Sequence, residues 1–191
     1  ETHWHDETRY LAGPGLHGDA SRWLAGQKPL AVGADNMAWD VIGLNQRLGP
    51  VILQKIGTGR ESGVNAQRYI NQVLAPEIMP YFQQHANLTL QQDNARTHTA
   101  RITTAFLQQH NIRVMPWPSM SPDLNPIEHF WDSLQRELIV LQPRPRTALQ
   151  LEQAIRQAWG HINMATVNRL IRSLPARCHA GMNANGGHTH Y

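Results

Sequence analysis

Residues 88 to 115 constrain the fold most. Leu88-Thr89-Leu90-Gln91-Gln92-Asp93-Asn94 reads as a short strand ending in polar residues. Thr99 to His110 reads as a helix with Ile102, Ala105 and Phe106 on one face, and Ile112-Arg113-Val114-Met115 as a second strand. Strand, helix and strand joined by short connections make a crossover unit, which favours a parallel pair and an α/β sheet. Asp93 then falls at the carboxyl end of a strand, where open α/β sheets present ligands and catalytic groups.

The chain before this unit is strand-rich. Residues 3 to 11, 21 to 25, 36 to 44 and 50 to 56 are short extended runs separated by turn chemistry such as Ala12-Gly13-Pro14-Gly15. From Asn65, a capping residue, Ala66, Tyr69, Ile70, Val73 and Leu74 take helical spacing until Pro76 and Pro80. The prolines predict one kinked helix or two short ones over residues 65 to 84. Three helices close the chain, on Ile127, Phe130, Trp131, Leu134 and Leu138, on Leu151, Ala154, Ile155, Ala158, Trp159 and Ile162, and on Val167, Leu170, Ile171 and Leu174. A stiff basic linker, Leu141-Gln142-Pro143-Arg144-Pro145-Arg146, joins the first two. The expected division is one domain over residues 1–180, with 181–191 a flexible Gly/Asn/His tail.

The 191 residues suffice for one domain with a real core, and 41% hydrophobic with 16% charged residues is an ordinary globular balance. No apolar run approaches the roughly 18 residues of a membrane span, and no signal peptide is visible, so an intracellular protein is expected. The single Cys178 excludes an internal disulfide and a Cys-rich zinc site, and is expected to be inert. A net charge of +3 fits a polyanion partner but does not specify one.

Chemistry concentrates in acids. Glu128 follows a loop stiffened by Pro116, Pro118, Pro122 and Pro126, and lies three residues after Asn125. Two readings stay open there. Asn125, Pro126 and Glu128 have the form of a capping box that merely starts a helix. Alternatively, the rigid loop holds Glu128 near the end of the sheet, where the helix dipole keeps its carboxylate charged. Asp6, in His3-Trp4-His5-Asp6-Glu7-Thr8-Arg9-Tyr10, is a third candidate. Three clustered carboxylates repel unless a hard divalent cation holds them, and oxygen-only ligation suits Mg²⁺ or Mn²⁺. Two such ions about 4 Å apart can activate a water or 3′-hydroxyl for in-line phosphoryl displacement.

Gln91-Gln92-Asp93-Asn94-Ala95-Arg96-Thr97-His98-Thr99-Ala100, followed by Trp117-Pro118-Ser119-Met120-Ser121-Pro122-Asp123-Leu124-Asn125-Pro126-Ile127-Glu128-His129-Phe130-Trp131, resembles the catalytic domain of Tc/mariner superfamily transposases, of the Tc-like branch. The 34 residues between Asp93 and Glu128, 94 to 127, match the spacing of that branch's Asp-Asp-Glu triad. Asp6-Glu7-Thr8-Arg9-Tyr10, Ala66-Gln67-Arg68-Tyr69-Ile70 and Gly186-Gly187-His188-Thr189-His190-Tyr191 match further motifs, so the likeness runs along nearly the whole chain.

The resemblance implies an α/β, RNase H-like fold, a mixed sheet of about five strands flanked by helices. It implies cleavage at transposon ends and strand transfer into target DNA, with Asp6, Asp93 and Glu128 as catalytic metal ligands for two Mg²⁺ ions, Mn²⁺ substituting. Asn94 and His98 would position the site. Implied partners are terminal inverted repeats, target DNA and a second copy on paired ends, in the nucleus and without a membrane. Relatives carry a helix-turn-helix DNA-reading region ahead of this domain, and none is seen here. The alternative is an inactive, domesticated domain serving DNA binding or protein interaction.

The remaining polar residues are assigned more plainly. His3 and His5 share a strand face, but the residues after Asp6 lack the order of binuclear zinc hydrolases, so exposed or partner-bonded histidines are expected. Trp117 and Trp131 are expected to pack rather than stack on bases. Arg169, Arg172 and Arg177 are assigned to a solvated helix face, with DNA-backbone contact as the second reading. Arg96, Arg136, Arg144 and Arg146 are candidate DNA contacts of the same kind, as are Lys55 and Arg60.

Overall fold

The computed structural model describes residues 29–35, 38–53, 64–85, 87–119, 121–141, 143, 145–187 and 189. The strands expected over 3 to 11 and 21 to 25 lie outside the described residues, as do Asp6, Lys55, Arg60 and Arg144.

The sheet starts from β1 (Pro29–Asp35) and β2 (Ala38–Gly43), antiparallel from Leu30 opposite Gly43 to Asp35 opposite Ala38. Two-residue strands β3 (Gln46–Arg47) and β4 (Val51–Ile52) both pair with β2 in antiparallel fashion. On its other side β1 pairs in parallel with β5 (Thr89–Gln91), Leu30 facing Leu90. Leu90 in turn holds residues 113–115 in parallel, donating its N–H to the Arg113 carbonyl and accepting from Met115 N–H, both at 2.8 Å. The expected strand over 112 to 115 therefore makes one bridge, at Val114, rather than a full ladder. β1 was not expected at all, because Pro29-Leu30-Ala31-Val32-Gly33-Ala34-Asp35 carries no alternation.

Register assigns the two faces. Gly43 and Leu90 are both opposite position 30 of β1, so they share a face, and Ile42, one residue along β2, lies on the other. Leu90 joins Leu53, Tyr69, Ile70, Val73, Leu74, Ile78, Leu107 and Ile112 in one core. Ile42 joins Ile127, Phe130, Leu134, Ile155, Trp159, Val167 and Ile171 in the second.

The first core is built on one continuous helical stretch. It runs through α1 (Ala66–Tyr69), a widened π-helical segment (Ile70–Ile78) and α2 (Met79–Gln84), capped by Asn65, whose side chain accepts from Arg68 N–H at 2.9 Å. Of the two forms expected at Pro76 and Pro80, one kinked helix or two short ones, the chain keeps a single helical stretch. Pro76 cannot donate and its ring crowds the turn before it, and the helix absorbs both defects in the wider turns around it. After β5 come α3 (Arg96–Thr99) and α4 (Arg101–Gln109), separated by the extended Ala100. Asn111, at φ 55°, closes α4, and Ile112 N–H donates to Leu107 O at 2.9 Å, which makes the tight return expected of a crossover unit.

The second core is covered by α5 (Pro126–Val140), α6 (Ala148–His161) and α7 (Met164–Arg172), with Phe130 and Trp159 edge to face at 4.5 Å between centroids. A further helix, α8 (Leu174–Asn183), follows at once, with Pro175 in its first turn. The expected flexible tail thus begins inside a helix, and Thr189 beyond it is only 7% exposed. A polar side chain becomes ordered there because it has a buried partner, described below.

Candidate active site

Period-two alternation divides the end of β5. Continuing past Gln91, it turns Gln92 to the face of Leu90 and Asp93 to the opposite face. Gln92 Oε1 accepts from the Tyr69 hydroxyl at 2.9 Å, which anchors the strand end on α1. Burial, with the Asp93 charge nearby, pushes the Tyr69 pKa up, so the hydroxyl stays protonated as donor.

Asp93 lies with Asn94, Ala95, Trp117, Pro118, Ser119, Ser121, Pro122, Asn125 and Glu128 on the wall of one open cavity of about 370 Å³. Asp93 and Glu128, with 34 residues between them, are therefore brought to one site. Among the described residues neither Cys nor His lines this cavity, and a carboxylate pair suits a hard divalent cation rather than zinc. Among the described residues no three of His, Cys, Asp or Glu form a metal-binding group.

Asp93 is held from the side of α3. Its Oδ1 accepts from Ala95 N–H at 3.0 Å and from His98 Nδ1 at 2.6 Å. Burial alone would raise the Asp93 pKa, but these hydrogen bonds and the attraction of His98 outweigh it and hold the carboxyl below its ordinary value. The carboxylate is then charged at neutral pH and can only accept, so His98 Nδ1 carries the proton of the pair. The His98 side chain is 1% exposed, against 56% for Asp93, and its ring is 4.9 Å from that of Tyr69. A fixed, buried imidazole thus orients a carboxylate that reaches solvent.

Asn94 links the two halves of the site, its Nδ2 donating to the Trp117 carbonyl at 2.9 Å. That bond ties the end of β5 to the proline loop, and Trp117 is itself buried with Met115, Leu124, Leu174 and Cys178 beneath the loop. Packing, the role expected of Trp117, is the one it has.

The start of α5 bears on the capping-box reading of Glu128. A short 3₁₀ turn (Pro122–Leu124) leads into Asn125, whose side chain accepts from Ile127 N–H at 3.3 Å. A capping box would direct the Glu128 carboxylate to the Asn125 N–H, but that N–H donates to Pro122 O at 2.9 Å. Asn125 starts the helix unaided by the reciprocal bond, while Glu128 is exposed at the cavity.

Other assignments scatter. Arg96 opens α3, Arg136 sits on α5 and Arg146 precedes α6, all exposed. Arg177 departs from the solvated face expected of it. It is 2% exposed and donates from Nη1 to the Asp123 carbonyl at 2.8 Å and from Nε to Ser173 Oγ at 2.7 Å. Its spacing after Leu174, beside Cys178, places it within the apolar stripe of α8, a signal that marks a buried partner. Asp123 and Thr189 were likewise missed as structural polar groups, because nothing local distinguishes a loop or tail residue that pairs across 66 positions.

The family described as DDE superfamily endonuclease matches residues 1–151. The transposable element Tc1 transposase of Caenorhabditis elegans is 41% identical over 101 residues, covering 53% of this chain and 36% of that protein. The match thus spans about a third of the curated relative. Among solved structures, the Mos1 transposase catalytic domain with raltegravir and Mg aligns at TM-score 0.70 and 19% identity, over 99% of this chain and 98% of that one. The Mos1 mariner paired end complex with Mn aligns at TM-score 0.67 and 21% identity, over 80% and 44%. The fold is that RNase H-like catalytic fold, and no helix among the described residues is long and apolar enough to cross a membrane. The chain belongs to the DDE superfamily endonuclease family.

Proposed function

We propose that this chain is the catalytic domain of a cut-and-paste DNA transposase, cleaving phosphodiesters at transposon ends and joining them to target DNA. The observation that carries the reading is the convergence of Asp93 and Glu128, from two distant segments, on one open cavity. Asp93, Glu128 and Asp6 would hold Mg²⁺ or Mn²⁺ as a pair of ions. Bound there, the ions would acidify an attacking water or 3′-hydroxyl and compensate charge on the phosphate.

The chain's own residues have separate tasks. His98 and Ala95 N–H keep Asp93 ionised and fix its Oδ1, leaving Oδ2 for a cation. Asn94 holds the strand end against the proline loop, so that the distance between the two acids is set by backbone rather than by side-chain rotamers. Glu128 stands in the first turn of α5, the end of a helix whose dipole favours an anion. Arg96, Arg136, Arg144 and Arg146 would take phosphates of the DNA backbone, which gives affinity without sequence choice. A second copy on paired ends and action in the nucleus follow from the same reading.

The test is a nicking assay with labelled transposon-end duplex and Mn²⁺ or Mg²⁺, using the chain alone and fused behind a helix-turn-helix region that binds the same end. Parent nicking that is abolished by chelation, by Glu128→Gln and by Asp93→Asn, with unchanged melting, supports the enzyme. Absence of nicking by the parent in both forms supports the inactive, domesticated alternative. A Glu128→Gln variant that still cuts returns Glu128 to a helix-starting role.

A further inference from the structure

The loop that delivers Glu128 is gripped from behind by a polar cluster that the chemistry above does not use. Asp123 is 9% exposed in the 3₁₀ turn, five residues before Glu128. Its main-chain carbonyl accepts from Arg177 Nη1 at 2.8 Å, and its Oδ2 accepts from the Thr189 hydroxyl at 2.6 Å. Arg177 is fixed in turn by Ser173 Oγ and lies 3.3 Å from Nδ1 of His129, the residue next to Glu128. Thr189 reaches Asp123 because the chain doubles back after α8. Asn185 at φ 51° and Gly186 at φ 79° close the helix, with Gly186 N–H on the Gly181 carbonyl at 2.9 Å.

We propose that α8 and the segment after it act as a latch on the active-site loop, with Arg177 and Thr189 as positioning residues that set, through Asp123, where α5 begins and where Glu128 stands. The latch rests on Glu128 being a working carboxylate, as proposed above. Stability alone does not call for such a cluster. Leu124, Leu174 and Cys178 already pack the loop on α8, and buried charged groups often add less stability than apolar residues of the same volume. What a fully bonded polar cluster adds is one defined geometry, since any shift leaves a buried donor or acceptor unmade. Every group gripped lies within six residues of Glu128.

Thr189→Val removes the hydroxyl at nearly constant shape, and Thr189→Ser restores it. Amide hydrogen exchange over residues 122 to 128 is measured on the metal-free chain, alongside melting and the Mn²⁺ dependence of nicking. Exchange of these amides is expected to quicken by about tenfold in Thr189→Val, the effect of one lost buried hydrogen bond. Half-saturating Mn²⁺ should rise several-fold, melting should shift by only a few degrees, and Thr189→Ser should resemble the parent. Unchanged exchange at 122 to 128, or faster exchange spread evenly along the chain, overturns the latch. If no protein cuts, the parent included, the catalytic reading falls, and exchange alone decides whether the loop is latched.

Discussion

Asn94 ties together both halves of the site, since its amide reaches the Trp117 carbonyl while its neighbour Asp93 presents the carboxylate. Asn94→Ala removes one neutral hydrogen bond and should cost about 1 kcal/mol in denaturant melts. Nicking should fall further, by roughly 10- to 100-fold, because small misplacements of reacting groups are expensive in rate. Equal losses in stability and rate would remove its positioning role. Cys178 offers a second check at this scale. Its thiol is fully buried beneath the proline loop, and burial pushes its pKa up to about 11. The nucleophilic thiolate is therefore scarce and shielded, so iodoacetamide at about pH 8 should leave the folded chain unmodified and label it once unfolded. Both residues were visible in the sequence, but only as motif neighbours and a lone cysteine, because their partners lie 23 positions away or across the core.

Among the elements, α5 was the most legible. The apolar spacing of Ile127, Phe130 and Leu134, the cap at Asn125 and the proline at Pro126 are local signals, and the helix runs Pro126–Val140 with those three side chains buried. Asn125→Ala should destabilise the chain by about 1 kcal/mol, the usual cost of a lost N-cap. A larger nicking defect should accompany it if the helix start sets the position of Glu128. The stretch with Pro76 was less legible, since proline rules describe α-helical turns and the chain relieved the conflict by widening the turn. β1 was invisible for a different reason. A central strand is defined by its partners on both sides, here β2 and β5, rather than by alternation within itself.

Among the described residues the two larger buried clusters lie on opposite faces of the sheet, with the site at the edge where β5, the proline loop and α5 meet. Trp159 binds the second core together. It packs edge to face on Phe130, and the guanidinium of Arg47 on β3 lies over its ring, 5.6 Å from the centroid. Trp159→Ala should therefore cost about 3 to 5 kcal/mol, measured by thermal or urea unfolding, and should loosen the sheet edge and the helices in one transition. Two separate transitions would mean that the terminal helices fold apart from the sheet.

The sequence by itself determined the features that obey local rules: an α/β chain, the crossover unit, the capped helix at Asn125, and two acids with 34 residues between them within recognisable motifs. Those follow from side-chain periodicity, proline and capping chemistry, each readable within a turn or two of chain. Only the tertiary structure decided that Asp93 and Glu128 share a cavity, that His98 is the buried partner of Asp93, and that Arg177 and Thr189 close on Asp123. The physical reason is that a polar side chain's role depends on which partner satisfies it once water is excluded, and that partner is chosen by packing between elements rather than by its neighbours along the chain.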